Sequence, residues 1–439
     1  MHNKKIIVLA NILNPINDTK CELIRNGAMV LSPIKRKGST IYIVSDYGPE
    51  NKILKKLDSG FQLIDYHEHI IMPAFFDMHF HWVQDDVRKM PKANLLDWLE
   101  NYTFPAEKKF QNKKYSKQKA NIFFERLVST GTLGGACYSS IHAHALEDAF
   151  ENVMGDFVIG NVLMTMNSPS YLAQTKSEAL KLVAKMSAKY KSRYALTPRF
   201  AIATDPQTML ETGKLAKKNK SFIQTHLSET KNEIEYVLQM YQNIPGFEKV
   251  KSYTEIYKKA GLLGAKTIMG HGIYLNPDEL ALLAKTKTAI AHCPTSNAPI
   301  KEKGLGSGLF NFKKVEKHGI AWALGSDIGG GPILSMFDVM RSFVKQNSKA
   351  KIAGATYKKA LYRATLAGAE ILKLDKSCGN LVIGKEANFL VLPQIELTAA
   401  DTVETLMEKL VKKGEKNRSL YDSLVKKVFY RGELVFSKN

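Results

Sequence analysis

Residues 73–82 read PAFFDMHFHW, an apolar run that closes on two histidines one residue apart. On a helix, positions i and i+2 point in different directions, whereas on a strand they share a face. A buried strand over 74–81 therefore sends His79 and His81 together from its C-terminal end. Two imidazoles converging in this way suit a divalent transition metal. The pair alone decides nothing, because the chain repeats it at His67 and His69 (YHEHIIMP) and at His142 and His144 (SIHAHAL). The surrounding order of elements has to separate the three.

Downstream, short apolar strands alternate with amphipathic helices. Strands are expected at 74–81, 131–138, 157–166, 193–200, 221–227, 266–271, 287–293 and 320–327, with helices between them, for example at 174–189, 205–219 and 276–285. Eight strands separated by helices argue for a parallel sheet, most economically a (β/α)8 barrel. A doubly wound open sheet would place a Gly-rich phosphate loop after its first strand, and none is present. A barrel gathers its active residues at the C-terminal ends of its strands. Here those ends carry His79 and His81, His226, His271, His292 and Asp327. His67 and His69 precede Pro73, outside the barrel mouth, and read as structural. His142 and His144 lie beyond the second strand and stay outside the metal set.

Both ends of the chain are rich in β structure. IIVLANIL, AMVLS and TIYIVS read as strands punctuated by Gly27, Lys37-Gly38 and Gly48-Pro49, and segments 376–393 and 427–436 read as strands again. A length of 439 residues accommodates a large domain with a smaller one. The four cysteines, Cys21, Cys137, Cys293 and Cys378, are widely spaced, which fits a reducing compartment. The opening MHNKKIIVLANILNPI reads as a first strand rather than a signal peptide, since Asn11 and Asn14-Pro15 interrupt its apolar run. No run approaches the ~20 apolar residues of a membrane span, so a cytoplasmic location is expected.

The formal charge is +21, yet only 10 of the 63 basic residues are arginine. The lysines are scattered over polar faces (KKNK, KKYSKQK, MEKLVKKGEKNR), and no aromatic RNA-binding motif accompanies them. Readers of phosphate and bases favour the arginine fork. A solvated lysine surface is expected, with no specific nucleic-acid partner.

PAFFDMHFHW, QTHLSE, IMGHG, AHCPTSN and LGSDIGGGPILSM resemble the strand-end motifs of the amidohydrolase superfamily. More narrowly, LLDWLENYTFPAEKKFQN (95–112), TPRF (197–200) and the spacing His79-x-His81-x-x-Gln84 resemble the guanine deaminases, over about residues 70–390. The resemblance implies a (β/α)8 barrel over 73–375 and a small β-sandwich made by 1–72 with 376–439. It also implies a homodimer and one Zn²⁺ per chain, Fe²⁺ being the alternative ion, held by His79, His81, His226 and Asp327. The fourth strand, RYALTPRF, lacks the lysine that bridges two metals in some relatives, so a single ion is expected.

The same resemblance assigns the remaining roles. A metal-activated water attacks C2 of guanine, Asp327 accepts its proton, and His271 orients the water or the developing alkoxide. Glu229, in HLSE, shuttles a proton to N3 and then to the departing amine; the plainer reading is a carboxylate favouring the start of the next helix. Gln84 and Arg199 match positions that contact the purine, and Phe200 and Trp98 are candidates to wall the flat base. Cys293 reads as packing. Asn388 departs from the pattern by standing where relatives usually carry Asp. The competing readings are deamination of another heterocycle (8-oxoguanine, an adenine-type base or a triazine) and an inactive polyanion-binding scaffold. The latter should have lost a ligand or Glu229, and neither is lost.

Overall fold

The computed structural model describes residues 4–36, 38–56 and 60–438; Lys37 of the expected Lys37-Gly38 turn lies outside them. Within these residues the chain forms two compact units. One comprises Met1–Asp77, Glu125–Gly134 and Ile333–Asn439; the other comprises Met78–Phe124 and Gly135–Pro332.

The first unit contains a seven-stranded sheet built from both chain ends. Strands β1 (Ile6–Pro15), β2 (Cys21–Arg36), β3 (Ser39–Pro49) and β4 (Gln62–Pro73) come from the N-terminal segment. β13 (Phe389–Val391), β14 (Lys427–Tyr430) and β15 (Glu433–Ser437) come from the C-terminal one, and the order is β15-β14-β13-β4-β1-β2-β3. The sheet folds back on itself. Tyr42 and Val44 of β3 donate their N–H groups to the carbonyls of Arg431 and Lys385, at 2.9 and 2.8 Å. Between the layers lies a core that includes Val8, Ala10, Ile12, Met29, Val44, Ile71, Phe389 and Phe429. β1 is buried on both faces, with Ile7 and Leu9 packing the other way against Ala28, Val30 and Ile53. That is why IIVLANIL is continuously apolar rather than alternating.

The eight remaining strands, β5 (Phe75–His81), β6 (Thr132–Ser139), β7 (Asp156–Leu163), β8 (Ala195–Pro198), β9 (Phe222–Leu227), β10 (Thr267–His271), β11 (Ala289–His292) and β12 (Trp322–Leu324), follow one another in chain order around a barrel. The backbone beyond β12 meets β5 to close it. Asp327 N–H donates to the His79 carbonyl and His81 N–H to the Ile328 carbonyl, both at 2.7 Å. Intervening helices start on side-chain caps. Thr175 with Glu178 and Asn276 with Glu279 form capping boxes, and Asp205 accepts from Gln207 and Thr208. Each such cap contributes about 1 kcal/mol to its helix.

The decoy histidines are absorbed by structure. His67 sits between Asp65 and Glu50, its ring nitrogens 2.7 and 2.8 Å from their carboxylates, and His69 Nδ1 lies 2.7 Å from the Leu392 carbonyl. His142 and His144 stack on each other, and His144 Nε2 lies 2.7 Å from the Phe110 carbonyl. His292 ends β11 as expected, but its ring stacks 4.3 Å from that of Phe310.

Candidate active site

β5 delivers His79 and His81 to one face, β9 delivers His226, β10 ends in His271, and Asp327 follows β12. His271 and Asp327 both adopt the left-handed backbone region, φ 70° and 48°, where a non-glycine residue is strained. Such strain, at the points where two strands end, turns both side chains toward a common centre.

One ring nitrogen from each of His79, His81 and His226 lies within 4.8 Å of the other two. His226 Nδ1 is 2.6 Å from the carbonyl oxygen of Arg199; a carbonyl only accepts, so Nδ1 carries the proton. The lone pair on His226 Nε2 therefore faces His81 Nε2, 3.0 Å away. Burial, and then the neighbouring imidazoles, hold both rings well below the ordinary histidine range. Asp327 Oδ1 lies 3.4 Å from His79 Nε2 and 3.8 Å from His81 Nε2. Three neutral imidazoles and a carboxylate turned on one point form a donor set that fits a divalent cation. The ring of Tyr138 packs within 5.0 Å of all three histidine rings and holds them in place.

Beside this group stands Glu229. It does not serve the helix that follows: Lys231–Gln242 is capped by Thr230 with Glu233. Its Oε1 instead accepts from Asn297 Nδ2 at 3.1 Å and Ser307 Oγ at 2.9 Å, and Oε2 lies 3.5 Å from His271 Nε2. Burial, with the charge of Asp327 adding to it, pushes its carboxyl up to about 8 against those two hydrogen bonds. Asp327 goes the other way. Burial would raise it, but the His79 and His271 rings and a hydrogen bond from Ser296 bring it down to about 2. Two carboxyl groups in one cleft are thus split, one prone to hold a proton and one to shed it.

These groups border a single cleft. His81, His226, His271, Asp327 and Glu229 line one part, Gln84, Arg199 and Phe200 another, and Leu95, Trp98, Leu99 and Leu305 complete the wall. His79 reaches the metal group from full burial beneath it. His79, His81, Gln84, Trp98, Arg199, Phe200, His226, Glu229, His271 and Asp327 are gathered here, whereas His292, also expected at a strand end, is not among the residues that line the cleft.

Several others were not foreseen as individuals. Glu107 accepts from Gln84 Nε2 at 2.8 Å and pairs with Arg199 Nη1 at 2.9 and 2.8 Å. Its signal lay in the quoted YTFPAE motif. Asn297 and Ser307 hold Glu229, and Asn297 belongs to the AHCPTSN motif. Glu233 lines the cleft beneath Glu229, and the T-x-x-E capping box was legible in the sequence. Cys293 donates its thiol to the Ala291 carbonyl at 3.6 Å.

Residues 70–435 match the amidohydrolase family. The chain is 30% identical to the guanine deaminase of Escherichia coli over 390 residues, 85% of each chain. It is 33% identical to that of Rattus norvegicus over 369 residues, 79% of each. The crystal structure of guanine deaminase from C. acetobutylicum with bound guanine in the active site superposes with a TM-score of 0.83 at 27% identity, over 99% of this chain and 100% of that one. No helix among the described residues is long and apolar enough to cross a membrane.

Proposed function

Because the chain belongs to the amidohydrolase family and, within it, to the guanine deaminases, we propose that its cleft hydrolyses guanine at C2, giving xanthine and ammonia. The observation that carries this reading is the placement of Glu229. Its proton-holding carboxyl shares one cleft with the cation-binding donor set and with the Gln84–Arg199 pair.

We assign one Zn²⁺ per chain, with Fe²⁺ as the alternative, to His79, His81, His226 and Asp327; when bound, it supplies a nucleophilic water of lowered pKa. Asp327, ionised at working pH, takes the proton that this water gives up. Glu229 delivers its proton to N3 as the water oxygen adds to C2; as the C2–N bond breaks, the proton of the new C2 hydroxyl passes through Glu229 to the amine, and the proton held by Asp327 returns to Glu229. One water is consumed and one ammonia released. His271, 3.5 Å from Glu229 and 3.9 Å from Asp327, orients the attacking oxygen and steadies the charge that develops on it. Gln84 and Arg199 hold the far edge of the base, and Phe200 walls its plane.

Support for a cytoplasmic location comes from the four free thiols, and for a homodimer from the likeness to guanine deaminases. A solution mass of one chain at micromolar concentration would remove the dimer. The reaction is tested by turnover in H₂¹⁸O. Xanthine labelled at C2, with ammonia in equal amount, is expected, and guanine consumed without that label would refute hydrolysis at C2.

A further inference from the structure

Glu107 is a buried carboxylate, 1% exposed, that no catalytic step uses. It lies in the helix Phe104–Lys108 and binds both residues assigned to hold the base. Oε1 accepts from Gln84 Nε2 at 2.8 Å and from Arg199 Nη1 at 2.9 Å, and Oε2 accepts from the same Nη1 at 2.8 Å.

These contacts fix more than position. A carboxylate paired with a guanidinium has no proton to give, so the Gln84 amide must turn its NH₂ toward it. The carbonyl Oε1 of Gln84, which has no partner among the described residues, is then what that side chain offers the cleft. Arg199 spends Nη1 on Glu107, and its guanidinium lies 5.2 Å from the Phe104 ring. Its Nε and Nη2 protons have no hydrogen-bond partner among the described residues and remain available. This end of the cleft therefore presents one fixed acceptor beside fixed donors. A lactam edge, N1–H beside C6=O, answers that pattern. A 6-amino purine presents its reverse, a bare N1 beside an N–H donor.

We propose that Glu107 is the positioning residue that sets the polarity of base reading, so that the site selects 6-oxo purines over 6-amino purines. This rests on the reading of the cleft as a purine deaminase, and it deepens that reading by assigning the selection to a residue that touches no substrate.

The test compares guanine with 2,6-diaminopurine, which carries the same C2 amine but an amino group at C6. The wild type is expected to favour guanine by at least about 100-fold in kcat/KM, since a site built to bond one pattern leaves buried groups unpaired by the other. In Glu107→Gln the new amide can donate as well as accept, which frees Gln84 to turn either way. The guanine preference should narrow at least tenfold, chiefly through KM for guanine, and Glu107→Asp should restore part of it. Loss of both activities by an equal factor would mark Glu107 as merely structural and overturn the proposal. Should the variants not fold, direct binding of hypoxanthine and adenine to the metal-loaded wild type decides. Hypoxanthine at least tenfold tighter is expected; adenine equal or tighter overturns the polarity. That binding result stands even if guanine is not turned over, which would count against the reaction instead.

Discussion

The carbonyl oxygen of Arg199 lies 2.6 Å from Nδ1 of His226, so the residue whose side chain faces the base also fixes, through its backbone, an imidazole of the metal group. Base reading and metal holding share a single turn of chain after β8, but they use different atoms. Arg199→Ala separates them. The carbonyl remains, so metal content should be kept. The lost charged hydrogen bond to the base should lower kcat/KM by about 10- to 200-fold. Glu107 would be left buried and unpaired, so folding stability should also fall by about 3–5 kcal/mol. Metal analysis, kinetics and denaturant unfolding on one preparation check all three, and metal loss would contradict the division of labour.

Glu229→Gln preserves shape and removes the proton. Guanine binding and metal content should survive while turnover falls by at least the 10²–10⁴-fold typical of general acid–base groups. A variant with more than a tenth of wild-type kcat would take the shuttle role away from this residue.

Gly270 precedes His271 in β10, and a Cβ there would stand 2.6 Å from Cε1 of His79. No real Cβ contact is that short, so Gly270→Ala must displace the His79 ring. Metal affinity, read by chelator competition, is expected to drop about 10- to 100-fold, as for other changes that misorient a ligand. Unaltered affinity would exclude His79 from the ligand set.

Asp327→Ala removes a ligand and the proposed base together. Both metal retention and turnover should be lost. Retained metal with lost turnover would restrict Asp327 to the proton step.

The pH dependence of the metal-free chain follows from the buried groups. Burial first, and Asp327 for Glu229 or Glu229 for Glu233, raises these carboxyls to about 8 and about 7. Their stabilising contribution is complete below the ordinary carboxyl range and disappears as pH rises through those values. The buried histidines are depressed and act oppositely, adding stability only up to their unfolded value of about 6.5. Between pH 6.5 and 8.5 the histidines held low no longer contribute, and His67, raised by its hydrogen bond to Glu50, acts in the same direction as the two carboxyls. The Tm of the metal-free protein should fall across that window, and fall less in Glu229→Gln. A flat or rising Tm would contradict the burial of a protonated Glu229.

Much of this was legible before the fold was seen. The barrel strands fall within about three residues of their expected bounds, because apolar runs that end in His or Asp mark both burial and the barrel mouth. β4 escaped notice. Its charged YHEH stretch follows Leu63, 52% exposed, and it is held as a strand between β1, to which it runs parallel, and β13, to which it runs antiparallel. The sequence of 376–393 reads as β throughout, yet only Phe389–Val391 pairs as a strand. Asn388, the departure from the expected Asp, accepts the Arg431 N–H at 2.7 Å, a task that either side chain performs. Glu107 was hidden for a different reason. In the polar run AEKK a glutamate looks solvated, and only the tertiary meeting with Arg199 and Gln84 shows it buried.

The most direct test of the central claim is ammonia release by the metal-loaded protein from guanine, adenine and a triazine under identical conditions. The account predicts rapid release from guanine, with adenine and the triazine slower by orders of magnitude, since adenine lacks both the C2 amine and the lactam edge that Gln84 and Arg199 are set to read. Faster release from adenine or the triazine than from guanine would contradict it.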